Sequence, residues 1–145
     1  MEVMVVTTEE QQKAAFDIRI RVFVEEQNVP LEEELDEFES ESTHFLLYKD
    51  GIPVGAGRFR VVDGMGKVER ICVLPDHRSG GSGGVIMRSI EKYAGEQGIR
   101  KLKLHGQTHA EGFYKKLGYE TVSEVFMEAG IPHVVMTKNL VKNTD

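Results

Sequence analysis

Seven consecutive residues, Arg78-Ser79-Gly80-Gly81-Ser82-Gly83-Gly84, constrain the fold of this chain more than any other stretch. They follow an apolar run, Val68 to Leu74, and a break at Pro75, and they lead into the amphipathic segment Val85 to Ala94. That order spells strand, glycine-rich turn, helix. A helix opened this way has first N–H groups without intrahelical partners, and the positive end of its dipole sits with them. A phosphate or pyrophosphate suits such a place. Glycine is needed because side chains would hold the phosphates away from the backbone. Arg78 adds a guanidinium at the edge. A flexible loop is the plainer alternative, and the flanking strand and helix weigh against it.

The spacing excludes two common phosphate motifs. A P-loop needs Lys-Ser/Thr after its last glycine, where this chain has Val85-Ile86. A dinucleotide fingerprint needs a βαβ unit with an acidic residue about 20 positions on, which does not fit here.

The rest of the chain alternates helices and strands. Val3–Val6 reads as a strand, and Thr8-x-x-Gln11 as a capping box for a helix with Phe16, Ile20 and Phe23 on one face, running to about Gln27. Pro30 ends it, and residues 31–43 read as a loop or short helix. Strands follow at 44–48, 54–62 and 67–74, with turns at Asp50-Gly51 and Asp63-Gly64. Ile86, Ile90 and Ala94 stripe a second helix that Gly98 stops. Residues 99–104 form a strand. Thr108-x-x-Glu111 predicts the cap of a short helix ending at Gly118, and 119–126 with 133–140 predict a closing antiparallel pair. Lys142 to Asp145 are expected to fray.

A chain of 145 residues with 40% hydrophobic content accommodates one sizeable core, so residues 1–145 are expected to form one domain. No apolar run reaches the ~20 residues of a membrane span, and Met1-Glu2-Val3 is unlike a signal peptide. The single cysteine, Cys72, excludes an internal disulfide and suits a cytoplasmic setting; its apolar strand points to a buried structural thiol. A net charge of −6 argues against nucleic-acid partners.

Two motifs in order resemble a known family. Arg78-x-x-Gly81-x-Gly83 matches the Arg/Gln-x-x-Gly-x-Gly/Ala signature of the GCN5-related N-acetyltransferases, with Val73-Leu74-Pro75 ahead of it. Phe113-Tyr114-Lys115-Lys116-Leu117-Gly118-Tyr119 resembles the later Phe-Tyr-x-x-x-Gly-Phe/Tyr motif. The resemblance covers nearly the whole chain. Ile20-Arg21-x-Phe23-Val24-x-Glu26-Gln27 and Gly130-Ile131-Pro132-His133 resemble the small bacterial branch with ElaA- and YjcF-type proteins. The resemblance implies an α/β (α+β) fold: a mixed, mostly antiparallel central sheet, helices on both faces, and a splayed parallel strand pair that holds acetyl-CoA. It implies transfer of an acetyl group to a primary amine, on a small molecule or a peptide, with no metal. A homodimer is left open.

Each chemical task then has candidates. Ser79, Gly80, Gly81, Ser82, Gly83, Gly84 and Arg78 hold the cofactor phosphates. By resemblance the backbone of Ile71, Cys72 and Val73 pairs with the pantetheine arm, and the Val73 N–H points at the thioester oxygen. Phe113 and Gln107 border the cofactor; at Gln107 many family members have an Asn. By resemblance Tyr114 lies near the cofactor sulfur and protonates the leaving thiolate, against the alternative of a core aromatic. Glu69 is the candidate base, because a carboxylate in an apolar strand is costly without a partner and it shares strand parity with Ile71 and Val73; a salt bridge to another strand is the alternative. Glu26, His105 and His133 are candidates for the acceptor side, with merely structural roles as the alternative for the histidines. Gly106 separates His105 from His109 and speaks against a metal pair.

Residues 25–41 carry nine carboxylates and no Lys or Arg. They read either as a solvated face or as a lip that attracts a cationic amine. Two rival functions stay open: a non-catalytic acyl-CoA sensor or interaction module on the same fold, and a homoserine-lactone type of acyl transfer.

Overall fold

A computed structural model describes residues 1–140; the expected fraying of Lys142 to Asp145 lies outside the described residues. The chain opens with β1 (Glu2–Val5) and α1 (Glu9–Arg19). The capping box forms: Thr8 Oγ1 accepts the Gln11 N–H at 3.1 Å, and Gln11 Oε1 accepts the Thr8 N–H at 3.2 Å. The helix does not continue regularly to Gln27. It widens after Arg19 into a π-helical stretch, Ile20–Glu26, a distortion often found beside functional sites. The acidic segment folds into α2 (Leu31–Glu34) and a 3₁₀ turn, Glu39–Glu41.

Strands β2 (Thr43–Lys49), β3 (Ile52–Val62) and β4 (Met65–Val73) form a meander. Both connecting turns place two residues at positive φ, Asp50 and Gly51 at 52° and 77°, Asp63 and Gly64 at 51° and 79°, as tight hairpins require. Then come α3 (Ser82–Glu96), β5 (Lys101–Gln107), α4 (Glu111–Lys116), β6 (Glu120–Thr121), β7 (Phe126–Glu128) and β8 (Ile131–Asn139). Thr108 does not cap α4. Residues Thr108–Ala110 form a 3₁₀ turn, Ala110 takes the cap position, and the Glu111 carboxylate accepts the Thr121 hydroxyl instead. The predicted strand 119–126 is broken into β6 and β7, each paired with β8.

The sheet runs β1-β2-β3-β4-β5-β8-β6, with β7 also on β8. Among the described residues only β4 and β5 are parallel, and they pair at Gly66–Leu102, Lys67–Lys103 and Val68–Leu104. Beyond Val68 they diverge. The divergence begins at a bulge: Ala56 faces Cys72 while Arg58 faces Glu69, so β4 takes three steps where β3 takes two. Arg70 absorbs the extra step at φ 58°. The expected mixed sheet with a splayed parallel pair is present.

Two apolar cores flank the sheet. On one face Ile86, Met87, Ile90 and Ala94 of α3 pack on Phe45, Phe59, Val68 and Leu102. The helix comes close because Gly57 carries no side chain: a Cβ there would stand 2.9 Å from Ile71 and 3.1 Å from Ile90. Truncating fully buried Ile90 to Ala would cost about 2–5 kcal/mol. On the other face Ala15, Ile18 and Val22 pack on Leu46, Ala56, Cys72 and Leu74.

A buried charge network ties the acidic segment to this second face. Arg19 and Arg58 are wholly buried. Arg19 holds Glu34 at 2.9 Å and Glu39 at 2.7 Å; Arg58 holds Asp36 at 2.7 Å, Glu39 at 2.9 Å and Glu69 at 2.8 Å. Arg70 adds Glu34 and Asp36, each at 3.2 Å. Such burial is tolerable only because every charge has partners.

Candidate active site

Past Val68 the gap between β4 and β5 opens into two adjoining cavities, of about 430 and 600 Å³. The larger runs from the glycine turn along Ile71, Cys72 and Val73. The smaller lies between the bulge of β4, the β7–β8 hairpin and α2. Ile71, Gln107 and Tyr114 line both.

The glycine turn has the geometry of an anion cradle. Gly80 and Gly81 sit at φ 82° and 81°, where a side chain would be strained. Gly81 occupies the cap position of α3 without a side-chain cap, and the first helical bond runs from the Val85 N–H to the Gly81 carbonyl. The N–H groups of Ser82, Gly83 and Gly84 therefore lack intrahelical partners. Ser82 contributes through its backbone only. Its buried hydroxyl donates to the His77 carbonyl at 2.7 Å and pins the turn to the preceding 3₁₀ segment. Phe113 stands against Gly83, where a Cβ would meet its ring at 3.1 Å.

Arg78 lies at the mouth of the larger cavity. Its Nε donates to the Val73 carbonyl at 2.8 Å, and its two terminal nitrogens grip both Glu26 oxygens. The guanidinium hydrogen bond holds the Glu26 carboxyl below its usual range. Glu26, expected on the acceptor side, thus lines the glycine-turn cavity and not the smaller one.

Val73 presents its backbone to the gap. Leu74 N donates to the Val54 carbonyl at 2.8 Å, so antiparallel alternation turns the Val73 N–H and C=O away from β3. Cys72 packs in the α1 core; burial pushes its thiol up to about 12, which leaves it unreactive.

Tyr114 sits where the cavities meet. Gly106 admits its ring to β5, where a Cβ would come within 3.2 Å of it. Burial raises the phenol to about 12, so it stays protonated at neutral pH. Gln107 spans the gap, donating to Gln27 Oε1 at 2.8 Å and lying 2.6 Å from His109 Nε2.

Glu69 is not the uncompensated carboxylate the sequence suggests. Arg58, Arg60 and Lys67 stand 2.8, 2.8 and 3.2 Å from it. Burial alone would raise its pKa; the hydrogen bond from Arg60 and the charges of Arg58 and Lys67 outweigh that and hold it at about 2. A carboxylate so held is a poor base at neutral pH. The parity argument fails for the same local reason. The bulge at Arg70 flips the alternation, so Glu69 faces the charge network while Ile71 packs against Gly57 and α3. The acidic run is likewise not uncompensated: Glu26, Glu34, Asp36 and Glu39 are all in ion pairs.

The smaller cavity is walled by His105 and Gln107 of β5 with His133 of β8, which lies opposite Gln107. Glu128, a residue the sequence reading passed over, completes this wall. Both its oxygens lie 3.2 Å from His105 Nδ1, and His133 Nε2 is 3.9 Å away. The hydrogen bond with His105 lowers the Glu128 carboxyl against the opposing effect of burial. Its signal in the sequence was spacing: Phe126 and Glu128 alternate on a short strand that the Ala129-Gly130 turn folds back onto His133.

Known proteins share this fold. Residues 5–140 match the family model described as an acetyltransferase (GNAT) domain. The chain is 54% identical to an uncharacterized N-acetyltransferase, YjcF, of Bacillus subtilis, over 96% of this chain and 100% of that one. The chain belongs to the GNAT acetyltransferase family. Among solved structures, Escherichia coli ElaA superposes with a TM-score of 0.83 at 25% identity, covering 94% of this chain and 98% of that one. An aminoglycoside 6′-N-acetyltransferase complexed with coenzyme A has a TM-score of 0.78 at 16% identity over 100% of both chains, a likeness of fold. The GNAT fold and the resemblance to the ElaA and YjcF branch read from the motifs are both borne out.

The glycine turn fits a pyrophosphate: three helix N–H groups without intrahelical partners and two left-handed glycines lie there, with the Arg78 guanidinium at the mouth of the same cavity.

Proposed function

We propose that residues 1–145 form one N-acetyltransferase domain that moves the acetyl group of acetyl-CoA directly to a primary amine in the cytoplasm. The observation that carries this reading is the junction at Tyr114, where a groove ending in an anion cradle meets a second cavity with its own polar wall. Coenzyme A, when bound, supplies the activated thioester. Ser82, Gly83 and Gly84 hold its pyrophosphate through their N–H groups, and Arg78 adds a guanidinium. The Val73 N–H, turned away from β3, would stabilise negative charge developing on the thioester carbonyl oxygen.

Tyr114 gives its proton to the leaving thiolate. A phenol near 12 is a reluctant acid toward a solvated thiol, which titrates near 8.5. The same burial raises the proton affinity of the thiolate, which narrows the gap. Glu69 serves as a fixed charge that anchors Arg58, Arg60 and Lys67 beside the acceptor cavity.

The acceptor enters the smaller cavity. Glu33 and Glu128 line it, which favours an amine arriving as a cation. Family membership supports transfer over the acyl-CoA sensor.

The test is release of free thiol from acetyl-CoA with a panel of primary amines, including cationic small molecules and a basic peptide. The expected result is thiol release above the amine-free rate together with an acetylated product. Binding of acetyl-CoA without acetylation of any amine would restore the sensor.

A further inference from the structure

With Glu69 committed to three cations, the proton acceptor has to come from another residue, and the wall opposite the bulge offers one. We infer that His133 Nε2 is the base that takes the proton of the acceptor ammonium, with Glu128 as the positioning carboxylate that steadies the resulting imidazolium. This rests on the acetyl-transfer reading above.

The ring is set for that task by its neighbours. His133 is buried, 7% exposed, and lines the acceptor cavity. Its Nδ1 lies 2.7 Å from the Ile131 carbonyl oxygen. A carbonyl only accepts, so the hydrogen-bond network assigns the proton to Nδ1. In the neutral ring Nε2 then carries the free lone pair. Phe126 stacks on the ring at 6.0 Å and 27°, which fixes its plane. Glu128 Oε1 stands 3.9 Å from Nε2, too far for a hydrogen bond to a neutral ring and near enough to stabilise a proton there. His105 shares the Glu128 carboxylate from the other side at 3.2 Å and orients it.

The charged and titratable groups around His133 come from several elements. Glu128 comes from β7 and His105 from β5. Lys67 on β4 reaches Glu128 by its charge, and Glu33 and Glu34 of α2, Glu69 and Arg70 of β4, His109 and Tyr114 border the same cavity. Glu34, Glu69 and Arg70 are held in the buried network, and Glu128 is the carboxylate with an oxygen 3.9 Å from His133 Nε2.

The step balances. An ammonium gives one proton to His133 Nε2. The freed lone pair forms the C–N bond at the thioester carbon, and collapse breaks the C–S bond. The second amine proton passes to Tyr114 as its phenol gives one to the departing thiolate, which restores the phenol. The His133 proton passes to solvent, so one acetyl-CoA and one ammonium yield an amide, a free thiol and a proton.

The experiment is the pH profile of kcat/KM for the most reactive amine of the panel, in wild type, His133→Gln and Glu128→Gln. His133→Gln should lose about 100-fold or more at neutral pH, the usual worth of a general base, with acetyl-CoA affinity unchanged. Glu128→Gln alters a half-exposed side chain and keeps the fold. Without the carboxylate, protonation of the ring is less favourable, so the acid limb should move to lower pH while the plateau falls. An active wild type whose His133→Gln variant keeps full activity would overturn the assignment to His133 alone. So would an acid limb that stays in place in Glu128→Gln. If the wild type acetylates no amine, the acetyl-transfer reading itself fails.

Discussion

Arg78 and Glu26 form a bidentate ion pair, 2.8 and 2.6 Å, across the mouth of the cavity that begins at the glycine turn. The pair joins the π-helical end of α1 to the residue that follows the Pro75–His77 turn and opens the cradle. A carboxylate occupies the guanidinium that a pyrophosphate would use. The two anions compete for Arg78, and the outcome is set by exposed charges.

Glu26→Gln should therefore tighten acetyl-CoA binding by about two- to fivefold, the size of an exposed ion pair. The gain should shrink as salt rises, because such charges are screened over about 8–10 Å at physiological ionic strength. Titration calorimetry at low and high salt measures both. Weaker binding in the variant would mean that Glu26 aids the cofactor by holding Arg78 in place.

Tyr114→Phe keeps the ring that Gly106 admits to β5 and removes the proton. Turnover should fall roughly 10- to 1000-fold, with acetyl-CoA affinity little changed. Single-turnover kinetics separate the two. Full activity would assign the thiolate proton to water and leave Tyr114 as a packing residue.

Glu69→Gln should act on stability rather than on the acid limb. With the carboxyl held at about 2, it is ionised across the working range and has no titration there to lose. Weakening its contacts with Arg58, Arg60 and Lys67 should cost about 3 kcal/mol, since Arg58 keeps Asp36 and Glu39. Thermal melting and the pH–rate profile together decide. A displaced acid limb would make Glu69 the base after all.

Stability should fall in two stages as the pH drops. His44 is buried, with Nε2 bonded to the Glu39 carbonyl at 2.9 Å and Nδ1 unpartnered, and burial lowers its pKa below 6.5. The unfolded chain then takes a proton that the fold refuses, so stability declines as pH falls below 6.5 toward the folded value. Glu69, Asp36 and Glu39 are lowered by their arginines against the effect of burial. Their contribution is present above about 4.5 and is lost toward 2. Melting temperatures from pH 7.5 to 3 test this; His44→Gln should remove the first decline, and a flat curve between pH 7 and 5 would contradict it.

The glycine turn was legible because only glycine suits two successive left-handed residues, and its neighbours announce a strand and a helix. The motif pointed to Tyr114, and the structure places it where the two cavities meet. Of the two readings of Glu69, the structure shows the salt bridge to neighbouring strands; its supposed parity with Ile71 failed because nothing in the sequence announces a bulge at Arg70, a residue type that rarely takes positive φ. The acidic run was misread because its partners lie far off in sequence: Arg19, Arg58 and Arg70 belong to other elements. Arg19, which the sequence reading did not single out, is fully buried. Burial of a charge is a tertiary fact, and so is the meeting of Glu128 with two histidines across three strands.

Calorimetric titration of acetyl-CoA into wild type and Gly83→Glu tests the cofactor cradle most directly. A side chain at Gly83 meets the Phe113 ring and puts a carboxylate beside the free N–H groups of Ser82 and Gly84. The predicted result is clear binding to wild type and a Kd raised at least about tenfold in a variant that still melts cooperatively, a loss of some 1.4 kcal/mol. Equal affinity in the folded variant would contradict the placement of the pyrophosphate at this turn.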